Sequence, residues 1–555
     1  MLDFRPFVLA AALAASAAAP ALAAADEVQI QILGTTDVHG HVYPTNYFGD
    51  AGDEPVGVAR AQTLIKQLRA KNPNTLLVDS GDCLQGTPLT YHAARIAPKT
   101  PNPMVLAYNA MGFDAFAVGN HEYNYDLPYL MKAKDEAKYP FLSGNIYVPG
   151  TNKPIYTPYV IKTVGGVKVG ILGFTTPGVA VWDRRHVQGK QEFGDITEAM
   201  GRWLPEVQKA GADAIVVIIH SGLGAPYDAT FGGYSEGEGV PEENVCAKLA
   251  DKYPAIDAIL LGHSHKDLPK LVHNGVLLTQ AGKWGERLAV VDLTFKQQGG
   301  KWKVAAKDSR TLKTEGVTPD PAVLKVTRAA HEATVKYVNS PVGTSTAEWL
   351  STRARVEDTP IMDLINQIQM AKTGAQLSAA SVFNSRARLP KGPLKVSDIA
   401  ALYVYENTLT TVKITGAQLK AYLENSASYY APYKPGGPIF DDRPAYNHDM
   451  VQGIGYAIDV REPVGSRIKD MTYQGQPVAD GQTFTMALNS YRQSGGGGYT
   501  MLKQAPVQGS IHTEIRELML EWVKEQRVID PAKVFTDNWK LLPAGAIAAD
   551  GRHYQ

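Results

Sequence analysis

The sequence predicts an α/β protein of two large domains, and two observations, its length and its pattern of apolar runs, lead to this prediction. At 555 residues the chain is longer than one hydrophobic core usually organises. Short apolar runs alternate with longer amphipathic segments up to about residue 312, and a new mixture of helices and strands begins near residue 341. Lys plus Arg and Asp plus Glu are equal at 55 each, so no overall charge favours nucleic-acid polymers.

Residues 1–23 predict a signal peptide. An apolar stretch from Phe7 to Ala19 follows Arg5, and Ala21, Leu22 and Ala23 have the small-x-small form that signal peptidase cuts. We therefore expect cleavage near Ala23 and a periplasmic or secreted protein. Later apolar runs are far shorter than the roughly 20 residues that a membrane span needs, so we expect no membrane anchor.

Strand-length runs rich in β-branched residues predict a sheet between Val28 and about Leu312. The runs are VQIQIL, NTLLVD, DAFAVG, VGILGF, AIVVII and AILL. Thr318 to Gly343 contains early prolines and predicts one helix between two domains. We expect a first domain at 27–315, a helical linker at 316–343 and a second α/β domain at 344–545. The chain has two cysteines, Cys83 and Cys246, which we expect to be buried free thiols, with one disulfide as the alternative.

Five segments of the first domain carry side chains of the type that binds metals. They are TTDVHGH with Asp37 and His39, DSGDCLQG with Asp82, GNHEYNY with Asn120 and His121, IIHSG with His220, and LGHSHKD with His263 and His265. Taken singly, each has an ordinary explanation as a helix cap, a turn residue or a hydrogen-bonded histidine. Taken together, they follow strand-like runs and can converge on one sheet edge.

The chemistry of these residues suits divalent metal ions. An i, i+2 spacing, as in Asp-x-His and His-x-His, places two side chains on the same side of extended backbone. A mixed shell of carboxylate, imidazole and amide suits Mn, Fe, Co or Zn. Two such ions, about 3.5–4 Å apart, can polarise phosphoryl oxygens and activate a bridging water. Asp82 is the best placed candidate for the carboxylate that bridges them.

The five segments resemble the pattern of the calcineurin-like metallophosphoesterases: D-x-H, G-D, G-N-H-[ED], H and G-H-x-H. The resemblance implies a β-sandwich layered with helices in the order αββα. It implies Asp37, His39, Asp82 and His265 at one metal, and Asp82, Asn120, His220 and His263 at the other. It also implies that His121 is a catalytic residue, which stabilises the transition state or donates a proton to the leaving oxygen.

The resemblance extends through the second domain to the exported 5′-nucleotidase and 2′,3′-cyclic-nucleotide 2′-phosphodiesterase/3′-nucleotidase family. In that family the C-terminal domain clamps the base between two aromatic rings, a role that falls here to Tyr405 and Tyr491, with Asn407 nearby. Core packing of the two tyrosines is the alternative. Arg386 and Arg388 are candidates for substrate contact, against the alternative of solvated surface arginines.

Two departures favour the cyclic phosphodiesterase branch of this family. Typical 5′-nucleotidases carry GNHEFD and GGDGY, whereas here Asn124 and Gly497 replace the two Asp residues. Trp284, in GKWGERLAVVDL, points the same way. Asn124, which we expect in the catalytic group, can hydrogen-bond His121, but it cannot stabilise an imidazolium by charge.

We therefore expect an exported hydrolase of small nucleotides, a 2′,3′-cyclic-nucleotide 2′-phosphodiesterase/3′-nucleotidase that uses a metal-bridging hydroxide. Its cofactors would be two divalent ions, Mn, Zn, Co or Fe, and the protein would be a monomer. The alternatives are a 5′-nucleotidase or nucleotide-sugar hydrolase, a thiosulfate-chain hydrolase on a related fold, and a non-catalytic nucleotide-binding surface protein.

Overall fold

The computed structural model describes residues 27–45, 47–48, 53–227, 242–405, 407–435 and 437–544. The predicted signal peptide, residues 1–23, lies outside this part of the chain. Among the described residues, none of the helices combines the length and the apolar character that crossing a membrane requires.

The first domain contains two six-stranded sheets. In spatial order, the strands of the first sheet are Lys301–Lys313, Arg287–Gln298, Glu27–Thr35, Thr75–Asp79, Ala115–Ala117 and Phe141–Leu142. Those of the second are Asp267–His273, Val276–Ala281, Ala258–Leu261, Ala214–His220, Val167–Thr175 and Tyr159–Val164. All six strands predicted from the sequence are present. The central strands of each sheet pair in parallel, so their carboxyl ends lie at the same sheet edge.

The two sheets pack face to face, and helices cover their outer faces. Along Ala214–His220, Val216 and Ile218 contact the other sheet, whereas Val217 and Ile219 contact the helices, as the two-residue period of a strand requires. The helices of this domain are Val58–Lys71, Pro88–Tyr91, Pro103–Met111, Leu127–Glu136, Val179–Trp182, Arg184–Val187, Ile196–Lys209 and Cys246–Lys252, with a π-helix at His92–Ile96 and a 3₁₀ turn at His121–Tyr123. This arrangement confirms the predicted αββα layers.

A single helix, Pro321–Val338, follows the first domain. Asp320 caps its first turn by accepting hydrogen bonds from the backbone N–H groups of Ala322 and Val323, and Pro321 occupies the first helical position. The boundaries 27–315, 316–343 and 344–545 stay a prediction.

The second domain has its own core and a mixed α/β structure. Its main sheet has the strand order Asp449–Gln452, Leu377–Ser381, Thr483–Asn489, Thr408–Thr415 and Val507–Glu514. A second sheet contains Gln476–Pro477, Ile468–Tyr473, Gly455–Asp459 and Trp539–Leu542. A three-stranded sheet contains Gly392–Lys395, Pro341–Ser345 and Val528–Ile529. A two-stranded sheet contains Trp349–Leu350 and Arg388–Leu389. Its helices are Pro360–Thr373, Val396–Ala400, Gly416–Ala427, Ser490–Gln493, Ile515–Gln526 and Pro531–Val534. The predicted second α/β domain is confirmed.

Both cysteines, Cys83 and Cys246, are buried free thiols, as expected.

An ion pair joins the two domains close to the carboxyl ends of the first sheet. The guanidinium of Arg95 donates to Oε1 of Glu514 at 2.6 and 3.0 Å, and to the carbonyl of Tyr125 at 3.0 Å. Glu514 has only 6% of its side chain exposed and Arg95 has 27%. Beside this pair, Arg516 of the second domain lies 4.6 Å from the ring centre of Tyr91 in the first.

We predict that Glu514→Gln lowers the free energy of unfolding by about 1–3 kcal/mol, because it removes the anion from a partly buried pair. Urea unfolding of the full chain measures this. The control is Glu27→Gln, whose carboxylate forms an exposed pair with Lys296 and should cost less than about 0.5 kcal/mol. Equal losses in the two variants would contradict an interdomain role for Arg95 and Glu514.

Candidate metal centre

Residues that are far apart in sequence meet at the carboxyl ends of the parallel strands. Asp37 and Asp82 each follow a strand of the first sheet by two or three residues. His220 is the last residue of its strand, and His263 follows Ala258–Leu261 in the second sheet. The two sheets therefore contribute to one buried cluster between them.

The donor atoms of this cluster lie close together. They form three overlapping groups, with the ligand atoms inside each group within 4.8 Å of one another: Asp37, His39 and His265; Asp37, Asp82 and His220; and His39, Asp82 and His121. His220 Nε2 lies 2.9 Å from Asp82 Oδ2, and His265 Nε2 lies 3.5 Å from Asp37 Oδ1. The proximity that the sequence predicts for these residues is therefore confirmed.

His39 presents an unprotonated nitrogen to the centre of the cluster. His39 Nδ1 contacts the carbonyl of Gln85 at 3.1 Å and His220 Nδ1 contacts that of Ser80 at 2.8 Å, so Nδ1 carries a proton in both rings. This leaves the lone pair on Nε2 of His39, which lies 3.0 Å from His265 Nε2. Burial lowers the pKa of His39 to about 3 and that of His265 well below its usual value, so both rings are neutral.

The cluster has the charge and the unmet bonding capacity of a cation site. Burial raises the pKa of Asp37 to about 6. Burial opposes ionisation of Asp82 too, but the neighbouring His220 and His121 hold the pKa of Asp82 well below its usual value. Burial would lower the pKa of His220, but Asp82 and Asp37 raise it to about 10, which shows how strongly this cluster attracts positive charge. Within the described part of the chain, the buried Asn120 Oδ1 has no hydrogen-bond partner. These residues fit divalent cations, which would use the same oxygen and nitrogen lone pairs.

Many of these side chains are carried by residues whose backbone adopts the left-handed conformation. Five of the seven candidate ligands have positive φ angles: Asp37 (50°), His39 (47°), Asp82 (61°), His263 (74°) and His265 (57°). Asp and His tolerate this conformation better than most residues, but each instance still costs about 1–3 kcal/mol. Such backbone strain concentrates at functional sites.

Glu122, to which the sequence analysis assigned no role, connects the ligand loops. Its fully buried carboxylate accepts hydrogen bonds from the backbone N–H groups of Asp82, Cys83, Leu84 and Gly119, at 2.7–3.0 Å. The loop that carries Asp82 and the loop that carries Asn120 are thus tied to one carboxylate. Glu122 follows His121 directly, but the sequence gives no sign of whether its side chain points inward.

His121 contacts the cluster and a polar pair behind it. Its backbone N–H donates to Asp82 Oδ1 at 2.8 Å, and its ring centre lies 5.0 Å from that of His39. Its Nδ1 lies 2.6 Å from Asn124 Oδ1, so the predicted contact between these two residues is present. Asn124 in turn contacts Asp183, whose pKa burial raises to about 6. Asp183 stands alone in TPGVAVWDRR, outside every metal-binding motif, so sequence reasoning missed it.

His263 lies at the edge of the cluster. Its ring centre is 5.1 Å from that of His220, and its backbone N–H donates to Asp37 at 3.0 Å. Its Nε2 lies 3.1 Å from Oε2 of the buried Glu243, a second residue that the sequence analysis missed. A carboxylate at one ring nitrogen orients a ligand histidine and leaves the other nitrogen, Nδ1, for a metal.

The predicted substrate residues lie on separate segments of the second domain. Tyr405 is 37% exposed, with Phe383 edge-on at 5.0 Å. Tyr491 is half-buried, in the helix Ser490–Gln493, and the carbonyl of Asn407 accepts the N–H of Ile515. Arg386 and Arg388 are both exposed, and Arg388 lies 4.0 Å from Glu348. Tyr405 is therefore partly accessible, and its role in binding a base stays a prediction.

The fold and the cluster define a metallophosphoesterase joined to a second domain. A family model for calcineurin-like phosphoesterases matches residues 30–267, and one for the 5′-nucleotidase C-terminal domain matches residues 341–504. The chain is therefore a hydrolase of phosphoric esters, of a class that uses divalent metal ions.

Two related proteins and one solved structure identify the family within this class. The chain is 32% identical to the 2′,3′-cyclic-nucleotide 2′-phosphodiesterase/3′-nucleotidase of Salmonella typhimurium, over 98% of this chain and 92% of the relative. It is 31% identical to the trifunctional nucleotide phosphoesterase protein YfkN of Bacillus subtilis, over 94% of this chain but only 39% of that longer protein. A solved Staphylococcus aureus structure, assigned as a 5′-nucleotidase, superposes with a TM-score of 0.79 at 26% identity, covering 93% of this chain and all of the other. The chain belongs to the family of 5′-nucleotidases and 2′,3′-cyclic-nucleotide 2′-phosphodiesterase/3′-nucleotidases.

We predict that Glu122→Gln lowers the free energy of unfolding by about 2–5 kcal/mol, since an amide nitrogen would then face two buried backbone N–H donors. Chemical denaturation measures the change. The matched control is Glu192→Gln, whose exposed carboxylate accepts one backbone N–H, that of Gly150, and which should change stability by less than about 0.5 kcal/mol. A Glu122 variant as stable as this control would show that the carboxylate does not hold the loops.

Proposed function

We propose that this chain hydrolyses small nucleotides, opening 2′,3′-cyclic nucleotides to 3′-nucleotides and then removing the 3′-phosphate. The observation that carries the phosphoesterase chemistry is the cluster of carboxylates and imidazoles. The near full-length similarity to the Salmonella typhimurium enzyme supports the choice of substrate. One site serves both steps, because each replaces an oxygen of ribose on phosphorus by an oxygen of water.

The cluster supports, and the family resemblance assigns, a ligand set for two divalent ions. We propose that one ion is held by Asp37, His39, Asp82 and His265, and the other by Asp82, Asn120, His220 and His263. When bound, the ions would activate water and polarise the phosphoryl oxygens. Mn, Zn, Co and Fe all suit this mixed shell. The buried Asn120 Oδ1, which has no partner among the described residues, supports the proposal.

The role proposed for His121 is to donate a proton. In the first step water adds to phosphorus and releases a proton to the solvent, the bond from phosphorus to O2′ breaks, and O2′ takes a proton from Nε2 of the protonated His121 ring, which then regains a proton from the solvent. In the second step the 3′ oxygen leaves in the same way. Because Nδ1 of His121 is engaged by Asn124, Nε2 is the nitrogen available to the leaving oxygen.

The loop at Gly497 supports cyclic and 3′ substrates over 5′ substrates. Gly497 has a φ of 74°, and a Cβ atom there would lie 2.3 Å from Asn447 Oδ1 and 2.7 Å from Arg492 Nη1. Arg492 is buried and makes two hydrogen bonds of 2.9 Å to Asp449, so it cannot move easily. A ribose-binding Asp at this position is therefore incompatible with this conformation of the loop.

We also propose that the protein is exported and that it is a monomer. Arg5, the apolar stretch and the Ala21 to Ala23 cleavage form support a periplasmic or secreted location. Small nucleotides are the proposed partners, since the balanced net charge gives no general attraction for nucleic-acid polymers.

Phosphate release from 2′,3′-cyclic AMP, 3′-AMP and 5′-AMP, measured side by side on metal-loaded protein, tests the substrate. We expect 3′-AMP to form from the cyclic nucleotide and then to lose its phosphate. Faster turnover of 5′-AMP would establish the 5′-nucleotidase alternative, and tight binding without any turnover would establish a binding protein.

In the same assay, we predict that Asp82→Asn lowers kcat by about 10²–10³-fold, because it removes the proposed bridging carboxylate. Bound metal, measured by elemental analysis, should fall together with activity. The control is Asp213→Asn, which lies just before the strand that His220 ends, at the opposite edge of the sheet, and should leave both unchanged. Full activity and full metal content in the Asp82 variant would remove the bridging role.

For the base pocket, we predict that Tyr405→Ala raises KM for 3′-AMP about 5- to 100-fold, the cost of one lost stacking contact. Hydrolysis of glycerol 2-phosphate, which has no base, should not change. Phe535→Ala removes another exposed aromatic ring of the same domain and should leave KM for both esters unchanged. An equal effect of Tyr405→Ala on the two esters would count against stacking.

A further inference from the structure

Asp183 is a buried carboxylate outside the metal cluster, and it forms the end of a hydrogen-bonded series that starts at His121. It lies between the short helices Val179–Trp182 and Arg184–Val187, and 4% of its surface is exposed. His121 Nδ1 lies 2.6 Å from Asn124 Oδ1, and Asn124 Nδ2 donates to the two oxygens of Asp183 at 3.1 and 3.4 Å.

The carboxylate fixes the orientation of the whole series. An ionised carboxylate can only accept hydrogen bonds, so the amide nitrogen of Asn124 must face Asp183. The amide oxygen then faces Nδ1 of His121, which must carry a proton, so a proton given to the leaving oxygen comes from Nε2 of the protonated ring. If a neutral side chain that can both donate and accept hydrogen bonds replaced Asp183, the amide of Asn124 could flip. It would then donate its N–H to His121, which requires an unprotonated Nδ1.

The backbone holds Asp183 in place independently of Asn124. Its N–H donates to the carbonyl of Val179 at 3.0 Å, and its carbonyl accepts the N–H of His186 at 2.8 Å. The preceding residue, Trp182, stacks on His263 with the ring centres 5.8 Å apart. The same short segment therefore contacts the cluster at two points, the ring of His263 and, through Asn124, that of His121.

We propose that Asp183 is a positioning residue for His121, and that it supplies through the Asn124 amide the carboxylate that the GNHEFD motif places directly beside the histidine. The inference rests on the proposed catalytic role of His121. It explains how a chain with Asn124 keeps Nδ1 of His121 protonated and a negative charge behind it: the carboxylate acts through one intervening side chain and belongs to a different segment.

The test exchanges the two side chains. Asp183→Asn should lower kcat about 10- to 100-fold, the usual effect of losing a residue that orients a catalytic group, while KM and metal content stay unchanged. Asn124→Asp alone places two carboxylates side by side and should also slow the reaction. The double variant Asn124→Asp/Asp183→Asn restores one carboxylate and one amide in contact, and should recover kcat to within about 5-fold of the parent, a coupling that independent sites do not show.

The assay uses glycerol 2-phosphate, a phosphoester without a nucleoside, whose alkoxide leaving group needs a proton. The result is therefore separate from the question of which nucleotide the chain prefers, which the AMP panel decides. Asp195→Asn, at the exposed cap of the next long helix, is the control and should match the parent. An Asp183→Asn variant with the parent's kcat would overturn the proposal, as would a double variant no faster than the slower single variant. Loss of metal from Asp183→Asn would overturn it too, by showing that Asp183 supports the cluster as a whole.

Discussion

Two carboxylates buried next to each other, Asp37 and Asp82, are the constraint on which the rest of this structure depends. They are 0% and 1% exposed, and their oxygens lie within 4.8 Å of each other and of a nitrogen of His220. Burying like charges is costly unless positive charge and hydrogen bonds compensate for it. Strand ends from two sheets deliver the imidazoles that surround these anions, and the proposed divalent cations would provide the remaining charge.

The same crowding explains the glycines of the metal-binding motifs. A Cβ atom on Gly119 would lie 2.3 Å from Asp82 Oδ1, and one on Gly81 would lie 2.8 Å from both Gly119 N and His220 Nδ1. Two loops can approach this closely only where side chains are missing. The buried carboxylate of Glu122 then joins the backbones of both loops, so the ligands behave as one assembly.

The fold and the clustering of the candidate ligands could be predicted because their signals are local. Apolar runs of strand length mark the sheets, and D-x-H or G-H-x-H reports its chemistry within three or four residues. Asp183 lies 59 residues from Asn124 in sequence, and no pattern links the two. Glu122 and Glu243 likewise gain their roles from tertiary contacts. The sequence showed that Gly497 replaces an Asp, but only the structure shows that Asn447 and Arg492 occupy the space.

The left-handed backbone at five of the candidate ligands has a consequence for how this protein can evolve. Glycine would relieve the strain at each of these positions, so replacing a ligand could make the fold more heat-resistant while it destroyed the enzyme. Selection for heat resistance alone would therefore favour substitutions that remove catalytic activity. A thermostabilised descendant that still works must gain its stability in the helices, the linker or the second domain, and leave these five dihedral angles untouched.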